Sequence, residues 1–280
     1  MSHTYDIAVA WRIYPRVSKV PILYAGDKFR MVRTSLLSFK ESAEGLKISY
    51  YFLLDGCPPE YTALLQELFA GEKMVIIDTP SLGNLNTFAK QIEILTKQDD
   101  AELVYFAEDD YLYRPGLFKN IYELVRNKEA DFASAYLHND VFTHPIHRHK
   151  RMVKYSGGQF WLSANSTCLT FLTSKATLLE TKNVFLTYQK GNNDCALWLV
   201  LTKTHIFNPF AWLRFMGDKE CFGILKMSVK YSFNYYFTTR RYSLWMPYTA
   251  ICTHLEKGSE SPGTDWLAVA KRIEEKDPAK

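Results

Sequence analysis

The 280-residue chain lacks any apolar run approaching the roughly 18 residues of a membrane span. Its opening residues, MSHTYDIAVAWRIYPR, lack the basic start, long apolar stretch and small-residue cleavage site of a secretory signal. The five cysteines, at 57, 168, 195, 221 and 252, are odd in number and include no CxxC pair. Neither a disulfide framework nor a zinc ribbon is signalled, and a reducing cytoplasm is the simplest setting. Charge of one sign is scarce as well: 34 basic against 30 acidic residues leave +4, too mild to argue for nucleic acid as a partner. Internal repeats and low-complexity tracts are missing. A 47% hydrophobic and 23% charged composition excludes disorder, collagen and coiled coil as whole-chain descriptions. What the chain has in excess is aromatic, with 18 Tyr, 18 Phe and 6 Trp. Its length allows one large α/β domain or two small ones around a sizeable core.

The first half alternates apolar runs with amphipathic ones. DIAVAW (6–11), KISYYFLL (47–54), MVIIDTP (74–80) and AELVYFAE (101–108) read as buried strands. Between them KFRMVRTSLLSFKES (28–42), PEYTALLQELFAG (59–71) and TFAKQIEILTKQ (87–98) read as helices, the second with Pro near its first turn and Gly71 at its end. This alternation predicts a doubly wound, mostly parallel sheet, whose ligands bind beyond the carboxyl ends of its strands. The loops after residues 11, 54 and 106 therefore share one edge. Later signals are weaker: a helix at 115–127, a strand in DFASAYL, a strand pair around 159–172 and a helix near 192–203. Residues 205–250 resist assignment, and only the tail after 268 reads as solvent-facing.

Glu108, Asp109 and Asp110 follow LVYFA directly. Adjacent side chains leave a strand on opposite faces, so the three cannot serve one purpose. Like charges held together at a crevice raise one another's pKa unless a cation intervenes, and hard divalent ions take one or two carboxylates plus substrate phosphates. An acidic turn that merely ends a strand accounts for the triplet equally well.

The segment ELVYFAEDDYLYRPGLF resembles the metal-binding segment of GT-A glycosyltransferases, particularly those of the family 2 type, in which a hydrophobic strand ends in Asp-x-Asp or a variant of it. The resemblance implies a single GT-A domain: a Rossmann-like, mostly parallel central sheet flanked by helices, with a smaller acceptor-side sheet. Residues 1–113 would form the nucleotide-sugar half, 114–268 the acceptor half and 269–280 an exposed tail. It implies that Asp110 holds Mn²⁺ or Mg²⁺ on the donor diphosphate, that Asp109 faces the donor's ribose or sugar, and that Glu108 supports them. Asp55, ending the second strand in LLDG, would contact the nucleobase. Asn84, Asn86 and Lys90 in GNLNTFAKQIEIL, with Arg12 past the first strand, would lie on the nucleotide side. Helix capping by Asn86 and a solvated Lys90 are the plain alternatives.

In the second half the resemblance implies that Asp194, in GNNDCALWLVL, is the general base that takes the acceptor hydroxyl's proton. Its ordinary role would be a first-turn acid at a helix start. His254, in ICTHLEKG, would be a further metal ligand, and HLEKGSESPGTDW would close over the donor. The histidines of THPIHRHK carry no HExxH pattern and no second cysteine set, so a basic loop near the acceptor or phosphates is favoured over zinc. GGQFWLSANSTCLTF is expected across the acceptor cleft, with Trp161 stacking on a sugar or else packing in the core. The 226–247 stretch mixes bases and aromatics, which suits a membrane surface or lipid-linked acceptor and suits a buried strand pair as well. The expected activity is metal-dependent transfer of a sugar from a nucleotide sugar to a saccharide or lipid-linked acceptor, inverting with Asp194 as general base, in the cytoplasm or peripherally at the inner face of its membrane. A sugar-1-phosphate nucleotidyltransferase would want a Gly-rich loop after the first strand, which RIYPRVSKVP lacks. A non-catalytic carbohydrate-binding protein would have no need of the acidic triplet, Asp194 and His254 together.

Overall fold

The computed structural model describes residues 3–17 and 20–277. Ser18 and Lys19, within the loop expected after the first strand, and residues 278–280 of the expected tail lie outside the described residues. The first half contains β1 (Ile7–Ile13), α1 (Lys28–Ser42), β2 (Ile48–Asp55), α2 (Pro59–Leu68), β3 (Lys73–Thr79), α3 (Gly83–Lys97), β4 (Leu103–Glu108), β5 (Tyr111–Tyr113) and α4 (Phe118–Arg126). The second contains β6 (Phe132–Ala133), α5 (Asp140–Thr143), β7 (Val153–Ser156), β8 (Gln159–Ala164), β9 (Leu172–Ser174), α6 (Lys175–Phe185), α7 (Asp194–Thr202), α8 (Pro209–Phe215), α9 (Lys219–Ser232), α10 (Tyr235–Thr238), β10 (Leu244–Pro247), β11 (Cys252–His254) and α11 (Trp266–Glu275). The fold is mixed α/β. Nine strands form one sheet in the order β3-β2-β1-β4-β9-β6-β10-β8-β7, and β11 with β5 forms a second.

From β3 to β4 every pairing is parallel, as the alternation predicts, with Ile7 opposite both Ile48 and Leu103. Beyond β4 the sheet is mixed, and only β6 with β10 is parallel. Antiparallel neighbours need no crossover helix. β7 and β8 are joined by Gly157 and Gly158, both at positive φ (57° and 83°), the backbone that tight hairpins prefer and side chains resist.

Because β1 and β4 are central, both their faces are buried. Ile7, Val9, Trp11, Leu103 and Tyr105 pack with apolar residues of α1, α2 and α4, whereas Ala8, Ala10, Val104 and Phe106 pack with α3, α6 and α7. The aromatic excess is spent here. Phe39 meets Trp11 edge-on (5.1 Å), Tyr113 (5.1 Å) and Phe118 (4.8 Å), and stacks on Tyr105 (5.8 Å). On the other face Phe171 stacks on Phe106 (4.6 Å) and Phe185 (5.1 Å) and meets Trp198 edge-on (5.0 Å).

Four expectations change. Helix α3 begins at Gly83, not Thr87, because Asp55 accepts the amides of Leu82 (2.5 Å) and Gly83 (2.9 Å) and so caps it from another strand. DFASAYL contributes only Phe132 and Ala133 to a strand. The 226–247 stretch is no strand pair: it holds the end of α9, then α10, then β10 alone. The segment after 268 is no free tail, since Ala270 and Ile273 are buried and α11 is clasped to α1. Arg30 pairs with Glu274 (2.7 Å), Arg33 with Asp277 (2.6 Å), and Glu41 with Arg272 (2.7 Å) and Lys276 (2.6 Å).

Truncating Phe39, which has no solvent exposure, removes the centre of the aromatic cluster. Phe39→Ala should cost about 3–5 kcal/mol in urea unfolding. A loss below about 1 kcal/mol would show that the site collapses around the gap and that α1 is held by other contacts.

Candidate active site

The carboxyl ends of β1, β2 and β4 open on a cavity of about 550 Å³. Its walls include Arg12, Lys28, Asp55, Asn84, Glu108, Asp109, Asp110, Tyr188, Asp194 and His254. Eight of these ten were nominated by sequence; Lys28 and Tyr188 were not.

The acidic triplet divides three ways. Glu108 lies beside Arg12 in the parallel register, forms an ion pair with it and accepts from Thr170 Oγ1 (2.7 Å). Arg12 also donates to Asn84 Oδ1, and Asn84 Nδ2 donates to Tyr188 Oη (3.1 Å). Burial lowers the Arg12 pKa, partly opposed by the charges of Asp110 and Asp109. Asp109 turns instead to α1: Lys28 Nζ donates to its Oδ1 (2.7 Å) and the Tyr14 amide to its Oδ2 (2.7 Å). Burial still raises the Asp109 pKa, against Lys28 and with the help of its neighbour Asp110. Lys28 itself is displaced upward, because Asp109 and Asp110 together outweigh its own burial.

Asp110 takes the third direction. The two-stranded sheet pairs Tyr111 with His254, and the Leu255 amide donates to the Asp110 carbonyl (2.7 Å). His254 Nε2 is thereby held 3.2 Å from Asp110 Oδ2, with Tyr111 edge-on to the imidazole at 4.9 Å and Glu256 3.4 Å from Nδ1. Burial would raise the Asp110 pKa, but His254, Lys28 and Arg12 hold it below the usual carboxylate range. Asp110 Oδ1 is buried with no hydrogen-bond partner among the described residues. A buried, unpartnered carboxylate oxygen beside an imidazole, both on the cavity wall, fits a hard divalent ion whose remaining ligands come from substrate and water. No group of three or more His, Cys, Asp or Glu that could hold a metal occurs among the described residues. Asp109 and Glu108, committed to Lys28 and Arg12, are not additional ligands in this arrangement.

Asp194 opens on the same cavity from the first turn of α7, as expected. Asn193 caps that helix by accepting the Ala196 amide (3.3 Å), and Asp194 Oδ1 accepts the Cys195 amide (2.7 Å). The loop after β1 forms the rim: Ile22 donates to the Leu255 carbonyl and Lys257 to that of Val20 (both 2.9 Å), beside His254.

Other nominations fall elsewhere. Asp55 lines the cavity, yet it accepts from Leu82, Gly83 and Thr79 Oγ1 (2.8 Å), so its first duty is to cap α3. Gly56 beside it sits at φ +69°, where a Cβ would collide with Ser81 Oγ. Asn86 and Lys90 are absent from the cavity wall. Asn86 Nδ2 donates to the Leu82 carbonyl (2.9 Å) and its Oδ1 accepts from Gln189 (2.8 Å), while Lys90 pairs with Glu93 one turn on (2.9 Å). Trp161 is fully buried with its Nε1 donating to the Ser156 carbonyl (2.9 Å), so it is a core residue and no sugar platform. From the same segment it is Cys168 and Leu169 that reach the cavity. Lys28 was legible in principle, since it falls on the face of α1 that buries Met31, Val32 and Phe39. Tyr188 and Thr170 lie outside regular strands and long helices, where no periodicity marks them.

The histidines of 144–149 do not reach the cavity wall. His147 Nδ1 pairs with Asn165 Oδ1 (2.8 Å), and His144 lies 3.5 Å from Glu220. Burial pushes the His147 pKa down to about 4.

In structure the chain is similar to the galactosyltransferase LgtC in complex with donor and acceptor sugar analogues, at 11% identity and a TM-score of 0.47 over 96% of this chain and 94% of that one. It is similar to the glycosyltransferase GlyE of Streptococcus pneumoniae, at 13% and 0.45 over 98% and 64% of the two chains. It is also similar to TarS of S. aureus, at 11% and 0.46 over 81% and 73%. No family model and no curated protein matches the sequence.

The unfolded chain protonates His147 near its ordinary pKa of about 6.5, whereas the folded protein resists until about pH 4. This histidine's contribution is therefore complete above pH 6.5 and is lost as pH falls toward 4. Between pH 7 and pH 5 wild type should lose about 2 kcal/mol more in urea unfolding than His147→Gln does. Parallel losses in the two proteins would show that His147 titrates normally in the fold.

Proposed function

We propose that the protein is a metal-dependent glycosyltransferase that moves a sugar from a nucleotide sugar to a saccharide or lipid-linked acceptor with inversion. The observation that carries this reading is the buried, unpartnered Asp110 Oδ1 next to His254, in the cavity that Asp194 also lines. Asp110 and His254 would hold Mn²⁺ or Mg²⁺, which supplies Lewis-acid stabilisation to a leaving diphosphate. Arg12 and Lys28 offset Glu108 and Asp109 on the same wall, so the charge that draws an anionic donor would come from the metal. Lys28 and the Tyr14 amide fix Asp109, whose place beside the β1 loop supports a role in orienting the donor's ribose or sugar.

Asp194 would act as general base. The acceptor oxygen attacks the anomeric carbon as its proton passes to the Asp194 carboxylate. The bond from that carbon to the diphosphate oxygen breaks, and its electron pair leaves with the diphosphate. The Cys195 amide on Oδ1 supports this role by fixing the carboxylate's orientation at the head of α7. Arg12, Asp55 and Asn84, around the cavity's nucleotide end, complete the donor side of the proposal.

Two substitutions test the reading. Asp110→Ala should abolish Mn²⁺-dependent affinity for a nucleoside diphosphate in calorimetry across a panel of bases, and unchanged affinity would remove the metal from the proposal. Asp194→Asn keeps the shape but cannot take a proton at neutral pH. Donor affinity should persist while transfer falls about 10²- to 10⁴-fold, or roughly 3–5 kcal/mol of barrier. If Asp194 only favours the helix start by its charge, the variant should instead lose about 0.3–1 kcal/mol of stability with turnover per folded molecule nearly intact. That outcome would favour a binding protein over an enzyme.

A further inference from the structure

We propose that the surface formed by residues 207–237 docks on an anionic lipid bilayer, lying in its interface. Six large apolar side chains, Phe207, Phe210, Leu213, Met216, Phe233 and Phe237, stand in solvent there, from 53% exposed at Phe233 to 79% at Phe210. Phe237 joins Phe207 (ring centroids 5.7 Å) and Phe233 (5.8 Å) into one cluster, while Phe210 and Leu213 sit one turn apart on α8. Exposed apolar groups this concentrated mark a contact surface.

Charge selects the occupant. Residues 207–237 carry four Lys or Arg against two acids, a net +2 of the chain's +4. Arg214, Lys219, Lys226 and Lys230 are exposed, and among the described residues no acidic side chain lies within ion-pair distance of any of them. Along α9 the Lys226 ammonium lies over the Phe222 ring (4.6 Å) and the Lys230 ammonium over the Tyr231 ring (4.7 Å), so cations and aromatics share this surface. Protein interfaces are depleted in lysine. An interfacial membrane surface favours it, because the stems lie along apolar chains while the ammonium reaches lipid phosphates. No described helix is long and apolar enough to cross a membrane, so this contact would lie on the bilayer. Asn192, two residues before Asp194, donates from Nδ2 to Ser232 Oγ (3.2 Å) at the end of α9, which ties this surface to the start of α7. The inference goes beyond the transfer reading and does not depend on it.

Flotation of the full chain with vesicles, without nucleotide, tests it. The protein should float with phosphatidylcholine vesicles that contain one third phosphatidylglycerol, and high salt should release it. Lys226→Gln/Lys230→Gln should weaken that binding about thirtyfold. Phe210→Ser/Phe237→Ser should weaken it at least about tenfold, with both variants checked by thermal melting. The lysine variant keeps the test decisive should the phenylalanine variant fail to fold. Absence of vesicle binding by wild type, or binding unchanged in the folded variants, would overturn the proposal. So would salt-resistant self-association abolished by Phe210→Ser/Phe237→Ser in a protein that does not float, which would assign the surface to a second copy of the chain.

Discussion

Three consecutive carboxylates at the end of a buried strand impose the constraint that the neighbouring elements answer. Two like charges about 4 Å apart at an effective dielectric near 20 repel by about 4 kcal/mol, so three of them are tolerable only with separate compensation. Arg12 comes from the adjacent strand, Lys28 from the first turn of α1, and His254 from a strand delivered late in the sequence. Each partner reaches its acid from a different direction, and the three directions fix β1, α1 and β11 around the end of β4. The cavity lies where those elements meet. Side chains held on strands and helices keep their geometry better than side chains on loops.

That division also explains how much of the molecule was legible. The parallel half follows from apolar runs spaced by amphipathic ones, and α1 occupies the expected 28–42 to the residue. Glu108 and Asp109 part to different partners as strand alternation requires. Asp194 stands in the first helical turn because Asn193 is a good cap, a local rule that sequence carries. What escaped was contact at a distance. Asp55 capping α3 joins residues that no local pattern connects, and it shifts the helix start by four residues. Lys28 was masked by its own chemistry, since a lysine among helical apolar positions reads as a solvated end until its buried acid is found.

Aromatic residues illustrate a different ambiguity. A tryptophan in a Gly-rich segment suits a sugar platform and a packed core alike, and composition cannot separate the two. In this fold both faces of the central strands are covered, so large rings are needed on two sides, and Trp161 joins that demand. The cavity's chemistry therefore rests on the few polar groups at one edge of the sheet, while the bulk of the aromatic content supplies cohesion.

The clasp between α1 and α11 has a consequence for biosynthesis. Arg33 and Asp277 are 244 residues apart in sequence, and His254 reaches Asp110 only when the strand after residue 251 has paired with β5. A ribosome-bound chain that has completed its parallel half would already bring Glu108 to Arg12 and Asp109 to Lys28, but Asp110 would still lack its imidazole. Domains dominated by such distant contacts fold slowly. The pairing of Asp110 with His254 would thus be acquired late, separating the finished molecule from its nascent forms at a step where most of the sheet is already in place.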